Sequence, residues 1–339
     1  MRQTSPFQER WPEGPEGLNP SVDFVDSPPM KGAKSTADWG LHFLPKHGTI
    51  NCKASSTLFR EDIMSYADER FIDNCKQILA TGVWDTDYPV RPHWEDGTPA
   101  HTIKCFGIVN RYDLSKEFPM LTIRRTAIKS CTDELLWIWQ KKSNNVKDLN
   151  SHIWDAWADE NGTIGKAYGY QLGVKHKYAE GWFDQVDRVL YDLKNNPTSR
   201  RILTNIFNHH DLSEMALYPC AYSMTFNVSG KKLNGILNQR SNDMLTANSW
   251  NVCQYSLLLM MMAQVSGFEP GELVHVIADA HIYDRHIEGV EYMIRQEPLP
   301  APRVWLDPDV KNFYDFTVDS VHVENYQFHE FPFPIPVAI

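Results

Sequence analysis

Residues 220–228 read Cys-Ala-Tyr-Ser-Met-Thr-Phe-Asn-Val. Large apolar side chains alternate with small or polar ones along this segment, which is the pattern of a β-strand with one buried face. Ser229-Gly230-Lys231 follows as a turn, and residues 233–241 return as the predicted antiparallel partner. This hairpin would bring Cys220, at the start of one strand, close to Arg240, at the end of the other.

A third strand is predicted over residues 272–283. One of its faces carries only apolar residues, Val274, Val276, Ala278, Ala280 and Ile282. The other face carries His275, Asp279, His281 and Tyr283. Such a row is either solvated or lines a polar pocket, and the apolar segments on either side favour the pocket.

Helical periodicity is found in three other places. The spacing of apolar residues predicts helices from about Arg60 to Gly82, from Cys131 to Lys142, and from Val186 to the Asn195-Asn196-Pro197 stop. Together with the strands, this order predicts an α+β domain over residues 59–339, with a mixed, largely antiparallel sheet and helices packed on one side. Residues 1–58 are rich in Pro, Gly and Ser, and are predicted to be an extension that is disordered or draped over the surface.

Composition limits the possible functions. The chain has 339 residues, 42% of them hydrophobic, and a formal net charge of −10, which argues against general nucleic-acid binding. The six cysteines are scattered without a CxxC pair, so neither a disulfide framework nor a metal site is predicted. The longest apolar run, Val252 to Val265, is shorter than the roughly 20 residues of a membrane span. Without a signal peptide either, the protein is predicted to be cytoplasmic.

Cys220 is the first candidate for chemistry. It follows Pro219 and enters a strand, which suits a nucleophile on a rigid support, whereas a buried structural thiol is the alternative. A cation such as Arg240 would lower the pKa of the thiol and would also bind an anion. The surroundings that mark papain-like or caspase-like cysteine hydrolases are absent.

Other candidates have two interpretations each. Arg91, the Arg200-Arg201 pair and Arg240-Ser241 are either surface polar groups or phosphate ligands. Glu134, inside an apolar helix, is either a charge at a helix start or a buried acid suited to proton transfer. Trp154 and Trp157 are either core or a stacking surface for a flat heterocycle. His209-His210-Asp211 has no third spaced ligand and is interpreted as a polar turn.

These separate segments share one resemblance. The chain resembles the thymidylate synthase family over about residues 60–339. The segments that carry the resemblance are 134–140 (Glu-Leu-Leu-Trp-Ile-Trp-Gln), 153–158 (Ile-Trp-Asp-Ala-Trp-Ala), 168–171 (Tyr-Gly-Tyr-Gln), 199–201 (Ser-Arg-Arg), 219–220 (Pro-Cys), 239–241 (Gln-Arg-Ser), 279–283 (Asp-Ala-His-Ile-Tyr) and 336–339 (Pro-Val-Ala-Ile).

The resemblance implies reductive methylation of dUMP to dTMP with 5,10-methylenetetrahydrofolate as co-substrate and no metal. Cys220 would attack C6 of the uracil ring with Arg240 beside it, Glu134 would transfer protons through water, and Tyr168 would belong to the network that removes the C5 proton. The residues implied in binding dUMP are Arg91, Arg200, Arg201, Gln239, Arg240, Ser241, Asn251, His281 and Tyr283. Those implied in enclosing the folate are Trp154, Trp157, Asp243 and the C-terminal residues, including Ala338.

The resemblance also implies an obligate homodimer formed through the sheet. Arg91, Arg240 and Ser241 would hold the 5′-phosphate, and Arg200 and Arg201 would reach it from the partner subunit. Asn251 would pair with the edge of uracil and select it over cytosine, because an amide offers the donor that O4 needs. His281 and Tyr283 would bind the ribose hydroxyl.

Two single positions and one loop depart from the family pattern. Ala221 stands where histidine is common, Ala278 stands where Gly is usual, and residues 246–251 read Thr-Ala-Asn-Ser-Trp-Asn instead of Leu-Gly-x-Pro-Phe-Asn. The altered loop would face the folate. It leaves open a deoxyuridylate hydroxymethyltransferase, which adds water instead of hydride, although Trp154 and the C-terminus favour the synthase. A non-catalytic nucleotide- or RNA-binding protein is the third hypothesis.

Overall fold

A computed structural model of the protein describes residues 64–339. The predicted N-terminal extension, residues 1–58, and the predicted helix start near Arg60 lie outside the described residues. The helices are α1 (Tyr66–Thr81), α2 (Ile128–Trp139), α3 (Gly169–Gly173), α4 (Gln185–Asn195), α5 (Ser249–Ser266) and α6 (Ile287–Met293). No helix within 64–339 is long and apolar enough to cross a membrane. The cytoplasmic location stays a prediction.

A seven-stranded sheet forms the centre of this unit, in the order β1-β2-β9-β7-β6-β5 with β8 beside β9. β7 runs parallel to β9, as does β8, and the remaining neighbours in this sheet are antiparallel. The predicted mixed, largely antiparallel sheet is therefore confirmed. The strands are β1 (Val83–Trp84), β2 (Thr102–Asp113), β3 (His176–Tyr178), β4 (Gly181–Phe183), β5 (Leu203–Asn205), β6 (Ala221–Ser229), β7 (Lys232–Gln239), β8 (Asn242–Asp243), β9 (Glu269–Tyr283), β10 (Arg303–Leu306) and β11 (Val321–Glu324).

The predicted hairpin is β6–β7, which turns at Gly230 with a φ of 62°. Its register shifts between Ala221 and Ser223, so Tyr222 is an extra residue in a β-bulge. Because of the bulge, Ala221 is buried, although simple alternation assigns it to the polar face. The bulge lies directly after Cys220.

The two faces of β9 have opposite roles in packing. Leu273, His275 and Ile277 are fully buried, on the side where α5 packs against β7 and β9. The side chains of Val274 and Val276 are only half-buried, on the other side. The row with the histidines therefore faces the interior, as a pocket requires, whereas the apolar row is half-buried at Val274 and Val276 and fully buried at Ala280 and Ile282.

α2 ends three residues earlier than predicted. Lys142 has a φ of 53°, a left-handed conformation that cannot continue a right-handed helix. α4 has the predicted stop, since its last residue is Asn195 and Pro197 follows. The run from Val252 to Val265 lies within α5, and nearly all of its residues are buried, as expected for a core helix.

The loop before α3 depends on Gly165. It has a φ of +67°, and a Cβ there would lie 2.0 Å from the carbonyl oxygen of Glu214. Gly162 has a similar φ of +81°, but a Cβ there would come no closer than 3.4 Å to the Lys147 side chain. The two glycines form a matched pair, since only Gly165 combines a left-handed backbone with a close approach.

We expect Gly165→Ala to destabilise the protein clearly more than Gly162→Ala. Each substitution costs about 1–2 kcal/mol for the left-handed backbone, and the contact at Gly165 adds about 1–3 kcal/mol of forced displacement. Chemical denaturation of both variants and the wild type measures the difference. Equal midpoints for the two variants would contradict the close approach at Gly165.

Candidate active site

Cys220 and Arg240 meet where the β6–β7 hairpin closes. The backbone N–H of Arg240 donates to the carbonyl of Cys220 at 3.0 Å. The guanidinium is held by two further carbonyls, with Nε donating to Pro219 at 3.0 Å and Nη2 to Tyr218 at 2.6 Å. Nη2 then lies 3.7 Å from Cys220 Sγ. The turn at Pro219 thus orients the Arg240 guanidinium toward Cys220 Sγ.

Burial and charge act in opposite directions on this thiol. Burial raises the pKa of Cys220, whereas the Arg240 cation, the Tyr168 hydroxyl and the Arg91 charge act to lower it. The net direction is upward, because an anion loses hydration in this enclosed position. Without substrate the cysteine is therefore mainly a thiol, and Arg240 limits the free energy needed to ionise it.

Tyr168 connects the cysteine to the rest of the site. Its hydroxyl accepts the backbone N–H of Cys220 at 3.1 Å, and its ring centre lies 5.0 Å from that of Trp154. Its φ of 45° and ψ of −106° lie in a sparsely populated region of backbone conformation, which costs about 1–3 kcal/mol. It is held there by burial of the ring beneath the cysteine.

Glu134 is a buried carboxylate surrounded by N–H donors. Trp154 Nε1 donates to Oε1 at 2.5 Å, Gln254 Nε2 donates to Oε2 at 2.7 Å, and the indole N–H of Trp250 also donates to Oε2. Burial raises the pKa of Glu134, and the three donors act to lower it. A carboxyl group whose pKa is subject to these opposing effects suits proton transfer.

Trp154 places Glu134 and Cys220 in one region. Its indole N–H contacts Glu134, and its ring packs on Tyr168, whose hydroxyl binds the Cys220 backbone. Trp157 is half-buried, with its ring centre 5.6 Å from that of Trp154. The two tryptophans therefore lie together.

A buried amide network sets the direction of Asn251. Gln239 Oε1 accepts from Asn242 at 2.9 Å and also from the ring of His275. Burial lowers the pKa of His275 to about 3, so that ring is neutral. Gln239 Nε2 then donates to Asn251 Oδ1 at 2.9 Å. With Oδ1 occupied, the NH₂ group of Asn251 remains to donate to a ligand.

His281 and Tyr283 lie side by side on β9, as the alternation predicted, with ring centres 5.2 Å apart. His281 Nδ1 contacts Asp279 Oδ1 at 2.8 Å, which fixes the ring. The charge of Arg91 acts to lower the pKa of both Tyr283 and Cys220. Ser241 is half-buried between β7 and β8.

Asp243 begins the altered loop and also contacts the C-terminal region. Its carboxylate accepts from the backbone of Leu245 at 2.9 Å and from Thr246 Oγ1 at 2.6 Å. Its Oδ2 lies 3.4 Å from His286 Nδ1, and His286 Nε2 contacts the Pro336 carbonyl at 2.8 Å. Burial opposes charge on both partners, yet their pairing lowers the pKa of Asp243 and raises that of His286.

The C-terminal residues are fixed on the domain. The backbone N–H groups of His93 and Ile339 each donate to the other's carbonyl, at 2.9 and 3.0 Å. Ala338 is half-buried beside this pair. A cavity of about 230 Å³ lies between the loop and the terminus, lined by Leu245, Gly289 and Pro336 among others.

Some predicted residues are not brought into this site. Arg200 and Arg201 are exposed just before β5, and neither forms an ion pair within residues 64–339. In the 209–211 turn, Asp211 contacts Lys166 at 3.2 Å and accepts from Gln171 at 2.8 Å. Across the described part of the chain, no three His, Cys, Asp or Glu side chains are grouped as metal ligands.

Sequence reasoning missed several contributors, namely Asn242, Asn248, Trp250, Gln254 and His286. Gln254 carried a usable signal, because a polar residue within the apolar run 252–265 needs a buried partner. The others lie in short elements or at the start of α5, where no periodicity marks them.

The arrangement of a cysteine, an aimed arginine and a nearby buried acid is typical of an enzyme that forms a covalent intermediate. The thymidylate synthase family model matches residues 69–339. The chain is 47% identical over 269 residues to the thymidylate synthase of Bacillus licheniformis, covering 78% of this chain and 96% of that protein. It is 46% identical over 269 residues to that of Bacillus phage phi3T, with the same coverage.

A solved structure, the thermostable thymidylate synthase A from Bacillus subtilis, superposes with a TM-score of 0.77 at 44% identity, covering 80% of this chain and 99% of that one. The chain belongs to the thymidylate synthase family and is an enzyme of the methyltransferase class. The division into an extension, residues 1–58, and a catalytic domain, residues 59–339, stays a prediction.

We expect Arg240→Ala to slow alkylation of Cys220 by iodoacetamide at neutral pH by roughly tenfold, because losing the cation raises the pKa of the thiol. Mass spectrometry of the modified peptide measures the rate, with Cys220→Ser giving the background. Arg303→Ala is the matched control, since Arg303 pairs with Glu324 in the separate β10–β11 sheet. Equal rates for Arg240→Ala and the wild type would contradict the role of Arg240.

Proposed function

We propose that the protein catalyses reductive methylation of dUMP to dTMP, with 5,10-methylenetetrahydrofolate as donor of the one-carbon unit and the hydride, and dihydrofolate as the second product. The observation that carries the proposal is the geometry at Cys220. The thiol lies 3.7 Å from Arg240 Nη2, in the same site as Asn251, whose amide donates no hydrogen bond within residues 64–339. The reaction of dUMP requires a nucleophile for C6, a binding site for the phosphate anion, and a donor that recognises O4.

The substrate side follows from these groups. Cys220 Sγ bonds to C6 of the uracil ring as the C5–C6 double bond opens, and C5 becomes the nucleophile toward the one-carbon unit. Asn251 donates to O4, whereas cytosine presents an amino donor at that position. The remaining contacts to dUMP come from Arg91, Gln239, Arg240, Ser241, His281 and Tyr283.

The folate side is formed by Trp154, Trp157, Asp243 and Ala338. The indole surfaces of Trp154 and Trp157 suit a flat aromatic co-substrate, which supplies the methylene carbon and then the hydride. Glu134 holds or releases a proton beside the ring, and Tyr168 takes part in removing the C5 proton. The docked C-terminus excludes water from this region.

The hydroxymethyltransferase alternative has less support. The relatives at 45–48% identity are named as thymidylate synthases. The altered loop does not open the site in this structure, since Trp250 contacts Glu134. The backbone pairing of Ile339 with His93, which holds the C-terminus against the domain, also supports the synthase.

Product analysis tests the function directly. We expect the full-length protein, given dUMP and 5,10-methylenetetrahydrofolate, to form dTMP and dihydrofolate in equal amounts, measured by mass spectrometry and absorbance. Cys220→Ser should lose several orders of magnitude in turnover while keeping the wild-type circular dichroism spectrum. Hydroxymethyl-dUMP without dihydrofolate would instead establish the alternative, and no product would favour a binding role.

We also propose a homodimer formed through the outer face of the sheet. That face exposes Val109 by 55%, Leu203 by 48% and Ile236 by 40%. Across this face Val109 pairs with Val276, and Ile236 with Val274. A contiguous apolar patch of this kind marks an interface. In such a dimer Arg200 and Arg201 reach the phosphate bound by the partner subunit.

Val109→Asp should weaken this dimer, because it would place a desolvated charge in the interface. Light scattering after size exclusion is expected to show a dimeric mass for the wild type and a shift toward the monomer for the variant. Trp182→Asp is the control, since Trp182 is 65% exposed but lies in the separate β3–β4 sheet. A monomeric wild type would overturn the proposal, and so would an unchanged mass of Val109→Asp.

A further inference from the structure

Trp250 stands where the family pattern has phenylalanine, at the start of α5. It is attached to α2 in two ways. Its indole N–H donates to Glu134 Oε2, and its backbone carbonyl accepts from Cys131 Sγ at 3.4 Å. A phenylalanine ring can fill the same space, but it has no N–H to donate. The replacement therefore adds a specific contact to the buried acid.

We propose that Trp250 is a positioning residue for Glu134, which fixes the direction of the carboxylate and stabilises its ionised form. Trp154 donates a hydrogen bond to Glu134 Oε1, while Trp250 and Gln254 both donate to Oε2. With one donor on one oxygen and two on the other, the carboxylate plane has a single orientation. The catalytic consequence of this role rests on the proposed function, whereas the contact itself does not.

The surroundings of Glu134 leave these donors to stabilise its ionised form. Within residues 64–339, no Lys or Arg lies within ion-pair distance of its carboxylate. The titratable groups that face it are Asp133 and Cys131 on its own helix, Tyr168 before α3 and Tyr255 on α5. All of these are acids, which cannot stabilise a neighbouring anion by charge. The stabilisation of ionised Glu134 is left to neutral N–H groups.

The first test compares the titration of Glu134 in the full-length wild type and in Trp250→Phe. Carbon-13 NMR of protein labelled at the glutamate carboxyl carbon follows the titration, and Glu134→Gln assigns the signal. We expect the midpoint to move upward by roughly one pH unit in Trp250→Phe, since a hydrogen bond to the charged form is lost. The limb of the kcat/KM profile that belongs to Glu134 should move in the same direction.

Trp139→Phe is the matched control. Trp139 is also buried, lies on α2 and packs against Tyr255, but has no hydrogen bond to Glu134. We expect this variant to leave the Glu134 midpoint unchanged even if its stability falls. If Trp250→Phe and Trp139→Phe both show the wild-type midpoint, Trp250 only fills space and the proposal is wrong.

A second measurement avoids substitution at Trp250. In protein with nitrogen-15 tryptophan, two of the eleven indole N–H signals, those of Trp154 and Trp250, should follow the Glu134 titration and lose that response in Glu134→Gln. A single responding signal would overturn the proposal. Neither NMR readout needs turnover. Failure to form dTMP would therefore contradict the proposed function without contradicting the contact between Trp250 and Glu134. An NMR result against the contact would likewise leave the proposed function unaffected.

Discussion

The buried amide of Gln239 is the interaction on which the site depends. It lies at the end of β7, contacts His275 on β9 and Asn242 in β8, and donates to Asn251 on α5. Asn248 extends the network by donating to Asn242 at 2.9 Å. Buried polar groups that are hydrogen-bonded to one another favour one arrangement, because a slip would leave further donors or acceptors unpaired. The sheet, the altered loop and α5 are thereby held in one register.

Burial imposes a second constraint, because ionisation of either candidate reactive group, Cys220 or Glu134, costs more free energy in the interior than in water. The protein compensates the two differently. Cys220 has the cation Arg240 beside it, and Glu134 has only neutral donors. This difference fits their proposed roles. A nucleophile gains from a fixed charge that favours its anion, whereas a group that must both hold and release protons would be locked in one state by a full positive charge.

Sequence patterns predicted the parts of this structure that repeat with a period. Alternation located β6, β7 and β9, and turn chemistry located the hairpin at Gly230. These patterns did not predict the bulge at Tyr222 or the left-handed conformation of Lys142, because each is a local exception that tertiary packing stabilises. The sequence also did not predict the partial exposure of Val274 and Val276, since periodicity separates two faces without showing how much of each is covered. Site residues were placed by the resemblance, but their hydrogen-bond partners come from contacts distant in sequence.

The loop can differ from the family pattern because of how it is anchored. Asp243 accepts the first free N–H groups of residues 244–248 and also pairs with His286, which holds the Pro336 carbonyl. One carboxylate thus starts the loop and connects it to the C-terminal segment. At the other end, Trp250 joins the loop to Glu134. Between these anchors, Thr246 and Asn248 donate to Asp243 and Asn242, so the altered residues themselves help to hold the loop between the acid and the terminus.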